Sequence, residues 1–117
     1  MKHFLLAVLT LCTAMIFSYC SSSKKAAAAK AIPALTYQAN VQQLVTEKCS
    51  PCHIPAKGGN KLAFDNFDTV KVHIDAIISR IERNPGERGF MPFKRDKLSD
   101  SAINVFKQWK ADGLGAK

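Results

Sequence analysis

Residues 49–53 read Cys49-Ser50-Pro51-Cys52-His53, two thiols separated by two residues with an imidazole directly after the second. That spacing excludes a structural disulfide closing a long loop. Three readings remain for the pair: a redox dithiol, two ligands of a structural zinc site, or two attachment points for one bound group with the imidazole beside them. The elements on either side decide among them.

Upstream, Thr36 is a good N-cap residue, and Tyr37, Val41, Leu44, Val45 and Lys48 recur at three- and four-residue steps. This predicts a helix running straight into Cys49. Downstream, residues 54–66 hold Pro55, Gly58, Gly59 and Asn60 and predict a loop over one edge of whatever His53 binds. The strongest periodicity follows. Phe67, Val70, Ile74, Ile77, Ile78 and Ile81 form one stripe, the mark of a core helix stopped by Asn84-Pro85-Gly86. A second loop, residues 87–97, carries Gly89-Phe90-Met91-Pro92-Phe93. The last helix opens at Ser99, with Asp100 at the positive end of its dipole and Leu98 and Ile103 as a hydrophobic staple. It turns Ala102, Phe106 and Trp109 inward and ends before Gly113. Sustained two-residue alternation and internal repeats are absent from the sequence, so the expected fold class is all-α.

A helical frame removes the dithiol reading, which needs a strand–helix–strand setting, and zinc would need a fourth ligand where only His73 is offered. Covalent haem attachment fits. A thiol adds across each of two vinyl groups, two thiols at this spacing reach both vinyls on one edge, and the next residue falls beneath the iron. Cys49 and Cys52 are therefore candidate thioether positions for one haem c, and His53 is the candidate proximal iron ligand. The sixth iron position has two candidates in the folding part. Met91 lies beside Pro92 in a loop between helices, where a backbone free of helix hydrogen bonds can aim a thioether inward; the alternative is a gap-filling methionine. His73 stands three residues after Val70 and four before Ile77, at the edge of the core stripe. It reads as a half-buried histidine near the rim of the bound group in preference to a second imidazole ligand.

Residues 1–20 predict an export signal, with Lys2 ahead of an apolar run from Phe4 to Phe17. A membrane-spanning helix needs about 20 apolar residues, so the run favours a cleaved leader. Phe17-Ser18-Tyr19-Cys20 is similar to a bacterial lipobox, although Tyr19 stands where a small residue normally precedes the cysteine; Cys20 is either lipidated or discarded with the leader. Residues 21–35, rich in Ser, Lys and Ala and closed by Pro33, predict a flexible linker, leaving residues 36–117 as the folded domain. So small a domain is marginal on side-chain burial alone, and a covalently held cofactor would brace it.

From Thr36 to Gly113 the chain resembles class I cytochromes c of the small bacterial single-haem kind. The resemblance rests on an N-terminal helix entering CSPCH, a late Met91-Pro92 pair, and Leu98-Ser99-Asp100 opening an amphipathic helix with Trp109 near its end. It implies a cytochrome c-like fold of three to four helices around one haem, thioether bonds at Cys49 and Cys52, axial ligation by His53 and Met91, and a crossing of the first and last helices near Trp109. In many members a proline about a dozen residues after the proximal histidine orients the imidazole through its carbonyl. Here that stretch reads Leu62-Ala63-Phe64-Asp65, so the partner of His53 is left open.

The expected role is electron transfer in an exported, periplasmic or membrane-tethered redox chain, without enzymatic activity or catalytic residues. Lys48, Lys57, Lys61, Lys94 and Arg95 offer a basic rim for acidic redox partners. Two other roles compete: a sensing or catalytic haem protein with an exchangeable sixth ligand, and a cytochrome subunit of a larger respiratory complex. Nucleic acid is not an expected partner despite the formal charge of +8, because the chain is read as exported.

Overall fold

The structure is a computed structural model that describes residues 33–117. The expected signal, Cys20 and most of the expected linker lie outside the described residues. Four α-helices are present among them: α1 (Gln42–Lys48), α2 (Phe67–Val72), α3 (Ile74–Ile81) and α4 (Asp100–Ala111). A π-helical turn, Tyr37–Val41, leads into α1, and a 3₁₀ turn, Pro55–Lys57, follows the cysteine motif. The only β-type pairing among the described residues is an isolated parallel bridge between Thr36 and Gly115. The all-α expectation holds.

The first helical segment starts where the sequence places it, with Thr36 Oγ1 accepting from the Ala39 amide at 3.4 Å. Tyr37, Val41 and Val45, four residues apart, are buried. The first amides of a helix have no partner inside it. Here the chain's far end supplies them: Tyr37 N donates to Gly115 O at 2.9 Å and Gln38 N to Ala116 O at 3.1 Å. Leu35, expected to close the linker, instead packs against the core, and its amide donates to Asp112 Oδ2 at 2.7 Å.

The long apolar stripe is not one helix but two. Helix α2 begins at Asn66, whose Oδ1 accepts from Thr69 N at 2.9 Å, and stops at His73, which has φ −101° and ψ 10°. Helix α3 then starts afresh at Ile74. The break closes a stretch in which Thr69, Val70 and Val72 are β-branched and crowd the preceding turn. Val70, Ile74, Ile77 and Ile81 nonetheless all reach the core. At the far end of α3, Lys97 Nζ donates to Glu82 O at 2.9 Å and neutralises the negative end of the helix dipole.

Helix α4 is capped at Ser99, whose Oγ accepts from Ala102 N at 3.3 Å. It closes with paired bonds from Gly113 N to Lys110 O and from Leu114 N to Trp109 O, a termination that Gly113 permits at φ 95°. Trp109 is fully buried, and its Nε1 donates to Gly115 O at 2.9 Å. Its ring meets Tyr37 at 5.9 Å and Phe67 at 6.2 Å between centroids. The first and last helical segments thus meet at Trp109, opposite aromatic partners worth about 0.5–1.5 kcal/mol per pair beyond area burial.

Candidate cofactor site

Cys49 caps α1, its amide donating to Val45 O, and His53 N donates to Cys49 O at 3.0 Å, so the motif runs on from the helix as one further turn. Cys49 is half-buried and Cys52 exposed, and the two are not joined in a disulfide. Burial pushes the Cys49 thiol up to about 11, against an opposing pull from Arg95. A redox dithiol needs a thiol activated toward thiolate, and Cys49 is moved the other way.

The loop after His53 folds back over the motif. Lys61 N donates to Cys52 O at 3.0 Å and Phe64 N to His53 O at 2.8 Å. The imidazole is fixed by the same loop, with Nδ1 lying 2.6 Å from Leu62 O. A carbonyl only accepts, so Nδ1 carries a proton, and in the neutral imidazole Nε2 keeps its lone pair. The Phe64 ring stacks on the imidazole at 4.5 Å, 12° from parallel. The open question about the partner of His53 thus has an answer: the Leu62 carbonyl occupies the orienting position, without proline. The fold-back depends on Gly59. A β-carbon there would stand 2.4 Å from Pro51 O, 2.7 Å from Cys52 O and 2.8 Å from Ile54 N, all backbone atoms with no room to yield.

Across the domain, the loop after α3 is held by different bonds. Helix α3 ends at Ile81, which leaves the Arg80 carbonyl without a helical partner, and Met91 N donates to it at 3.2 Å. Arg95 ties the loop back to the motif, its Nη1 donating to Ser50 O at 3.0 Å and Lys48 O at 3.3 Å. Phe93, between them, is 66 % exposed, with Lys94 over its ring at 5.3 Å.

Between these parts lies a cavity of about 560 Å³ bordered by Cys49, Cys52, His53 and Met91 together. Ile77, Ile81, Leu98 and Phe106 give it an apolar wall. Lys48, Lys61, Arg80 and Arg95 border it as well, and no Asp or Glu does. A volume of this order suits a small-molecule guest, and the lining is complementary to an apolar body with anionic substituents. Haem, with a hydrophobic macrocycle and two carboxylates, fits that description, and the thiols and imidazole fit its attachment chemistry.

His73 also borders the cavity, 6.2 Å from the Phe64 ring, which agrees with a position at the guest's rim. Of the basic rim expected from sequence, Lys48, Lys61 and Arg95 border the cavity, whereas Lys57 and Lys94 do not. Arg80 and Gly59 were not singled out from sequence. Arg80 stands three residues after Ile77, a spacing that puts it at the edge of the apolar stripe; Gly59 gave only the doubled Gly58-Gly59 of a loop. Among the described residues, no group of three His, Cys, Asp or Glu side chains is placed to hold a metal ion by itself. No described helix is long and apolar enough to cross a membrane. No protein-family model, curated protein or solved structure matches this chain.

Proposed function

We propose that this chain is a single-haem c-type cytochrome, similar in organisation to the class I family, that transfers electrons outside the cytoplasm. The observation that carries the reading is the convergence of Cys49, Cys52, His53 and Met91, from two loops 38 positions apart in sequence, on one cavity with apolar walls and a cationic border. When bound, haem would supply a one-electron ferric/ferrous couple. The protein's residues hold and tune it. Cys49 and Cys52 would form the thioether bonds, fixing the group at the end of α1. His53 would offer Nε2 to the iron from one side, made more basic by the hydrogen bond from Nδ1 to the Leu62 carbonyl. Met91 would offer its thioether sulfur from the other. With His53 and Met91 both holding the iron, no substrate would need to reach the metal, and this favours electron transfer over catalysis or ligand sensing.

Residues 1–20 are read as the export leader, which would place the domain in the periplasm with Cys20 as the candidate lipid attachment point. Acidic redox proteins are the expected partners, since the residues bordering the cavity include four cations and no carboxylate. Intact mass of the protein purified from its native host, with a haemochrome spectrum, tests the reading. The expected result is one covalent haem and a leader-free chain. A mass equal to the polypeptide alone, with free thiols at Cys49 and Cys52, overturns it.

A further inference from the structure

The segment that follows Met91 has little burial to hold it. Phe93, Lys94, Arg95 and Asp96 are all exposed, and the Lys94 ammonium over the Phe93 ring is a contact within the segment itself. Among the described residues, the hydrogen bonds from residues 92–96 to the rest of the domain come from Arg95, whose Nη1 donates to Ser50 O at 3.0 Å and Lys48 O at 3.3 Å. Both acceptors need a donor from outside. Lys48 ends α1, where the last carbonyls have no helical partner, and no backbone amide among the described residues donates to either oxygen. A guanidinium suits this place, because its charge lies at the negative end of the α1 dipole. The link from Arg95 to Met91 is short. Arg95 N donates to Pro92 O at 3.2 Å, closing a turn whose third residue, Lys94, has φ 56°. Met91 stands directly before that turn, and its own amide is held by the Arg80 carbonyl. The methionine is thus suspended between two helix ends, α3 through its amide and α1 through Arg95.

We propose that Arg95 is a positioning residue that sets how readily the sixth iron position opens, by tying the Met91 turn to the Lys48 and Ser50 carbonyls across the cavity's border. This rests on the haem reading, with Met91 as the sixth ligand. Arg95 acts through Met91 and not on the iron. With both bonds made, the turn is pinned to the same motif that carries Cys49, Cys52 and His53, so the two axial ligands share one frame. With both bonds lost, the exposed turn swings on the Met91 amide alone, and the thioether can leave while the helices stay folded. The opened position would take a small neutral donor such as an imidazole, since the residues bordering the cavity hold no carboxylate to repel or ligate in its place.

The test is imidazole titration of the ferric, haem-loaded full chain, read from the thioether charge-transfer absorption, with covalent haem verified by mass and helicity by circular dichroism in every sample. Arg95→Gln is expected to keep its helices and its haem while imidazole binds roughly three- to fivefold more tightly than to the wild type, because the apparent affinity follows the open fraction. Arg95→Lys keeps the charge but offers one ammonium to two carbonyls, and its affinity should fall between the two. The deciding arm is Met91→Ala, in which the sixth position is already open: adding Arg95→Gln to it should leave the imidazole affinity unchanged within about twofold. Loss of the charge-transfer absorption in Arg95→Gln before any imidazole is added, with helicity intact, is a stronger form of the expected result. Unchanged imidazole affinity in haem-loaded Arg95→Gln overturns the proposal. So does an equal gain in the Met91→Ala background, which would mean that Arg95 acts at the cavity's border and not through Met91. The underlying reading fails in other ways: wild-type protein without covalent haem removes the haem, and wild-type protein that lacks the thioether absorption and binds imidazole as tightly as Met91→Ala removes Met91 as the ligand.

Discussion

The two loops that face each other across the cavity are built differently. The loop of residues 54–64 is fixed to the cysteine motif by backbone bonds at Cys52 and His53, by the imidazole bond to Leu62, by ring stacking on Phe64 and by a glycine with no free space around it. The loop of residues 87–97 has one backbone bond at the site, from Met91 to Arg80 O, and is otherwise held by side-chain bonds through Arg83, Arg95 and Lys97 and by the buried Phe90. One side is fixed mainly by backbone bonds, and the other is held mainly by side chains. A side fixed by backbone bonds suits a ligand whose ring orientation and tautomer must be fixed, and a side held by side chains suits a thioether that adjusts to the guest.

The contrast is most severely tested at Gly59. Gly59→Ala forces a methyl group into three backbone atoms and is expected to cost upward of about 3 kcal/mol in chemical denaturation. Gly86→Ala, at φ 94° but with nothing within 4 Å of the added carbon, is expected to cost about 1 kcal/mol. Equal losses at the two glycines would remove the claim that the first loop is the one fixed by its backbone. Met91→Ala comes next. The half-buried side chain should cost about 1–2 kcal/mol, with the helical circular dichroism retained. In the haem-loaded protein the thioether charge-transfer absorption should vanish and added imidazole should bind; persistence of that absorption would exclude Met91 as the sixth ligand.

The thiols sharpen the comparison within the motif itself. In haem-free protein near neutral pH, Cys52 should alkylate at least about tenfold faster than Cys49, because Cys52 is exposed while burial raises the Cys49 thiol to about 11. The sign of the stability effect follows. The fold keeps Cys49 protonated, so its contribution is full below the unfolded thiol value of 9.0 and is lost as pH rises through about 11. Haem-free protein should therefore lose stability between those values, and Cys49→Ser should flatten that part of the pH profile. The smallest effect is expected at Arg95. Arg95→Gln removes two bonds to carbonyls at the surface and should cost about 1 kcal/mol or less, seen as faster proteolysis within residues 87–97 and not as a shift of the main transition.

Much of this architecture was legible in the sequence, because helices advertise themselves through side chains. The buried sets Tyr37, Val41 and Val45, and Ile103, Phe106 and Trp109, follow from spacing, and the caps at Thr36 and Ser99 from residue type, whereas the cap at Asn66 was read only as the end of a loop. The break at His73 was not legible, since the apolar stripe keeps its phase through it and only the backbone angles change. The same holds for the partner of His53. A carbonyl has no residue type, so Leu62 carries no sign of its role, and the need for Gly59 appears only when residues 51–54 are seen packed against it. Nor does the sequence show that Gly89 lies against the guanidinium groups of both Arg80 and Arg83.

The bonds from Tyr37 and Gln38 to Gly115 and Ala116 draw the two extremities of the domain together, so that the path from Leu35 to Ala116 is nearly a closed ring. Force applied through the segment before Leu35 therefore enters at Asp112 and Gly115 on the far side of Trp109 and reaches the cysteine motif only after that clasp gives way. A ring can also be cut elsewhere. Joining residue 117 to residue 35 through a short glycine linker and reopening the chain between Pro85 and Gly86, in an exposed turn, should yield a circularly permuted domain with the same helices in a new order.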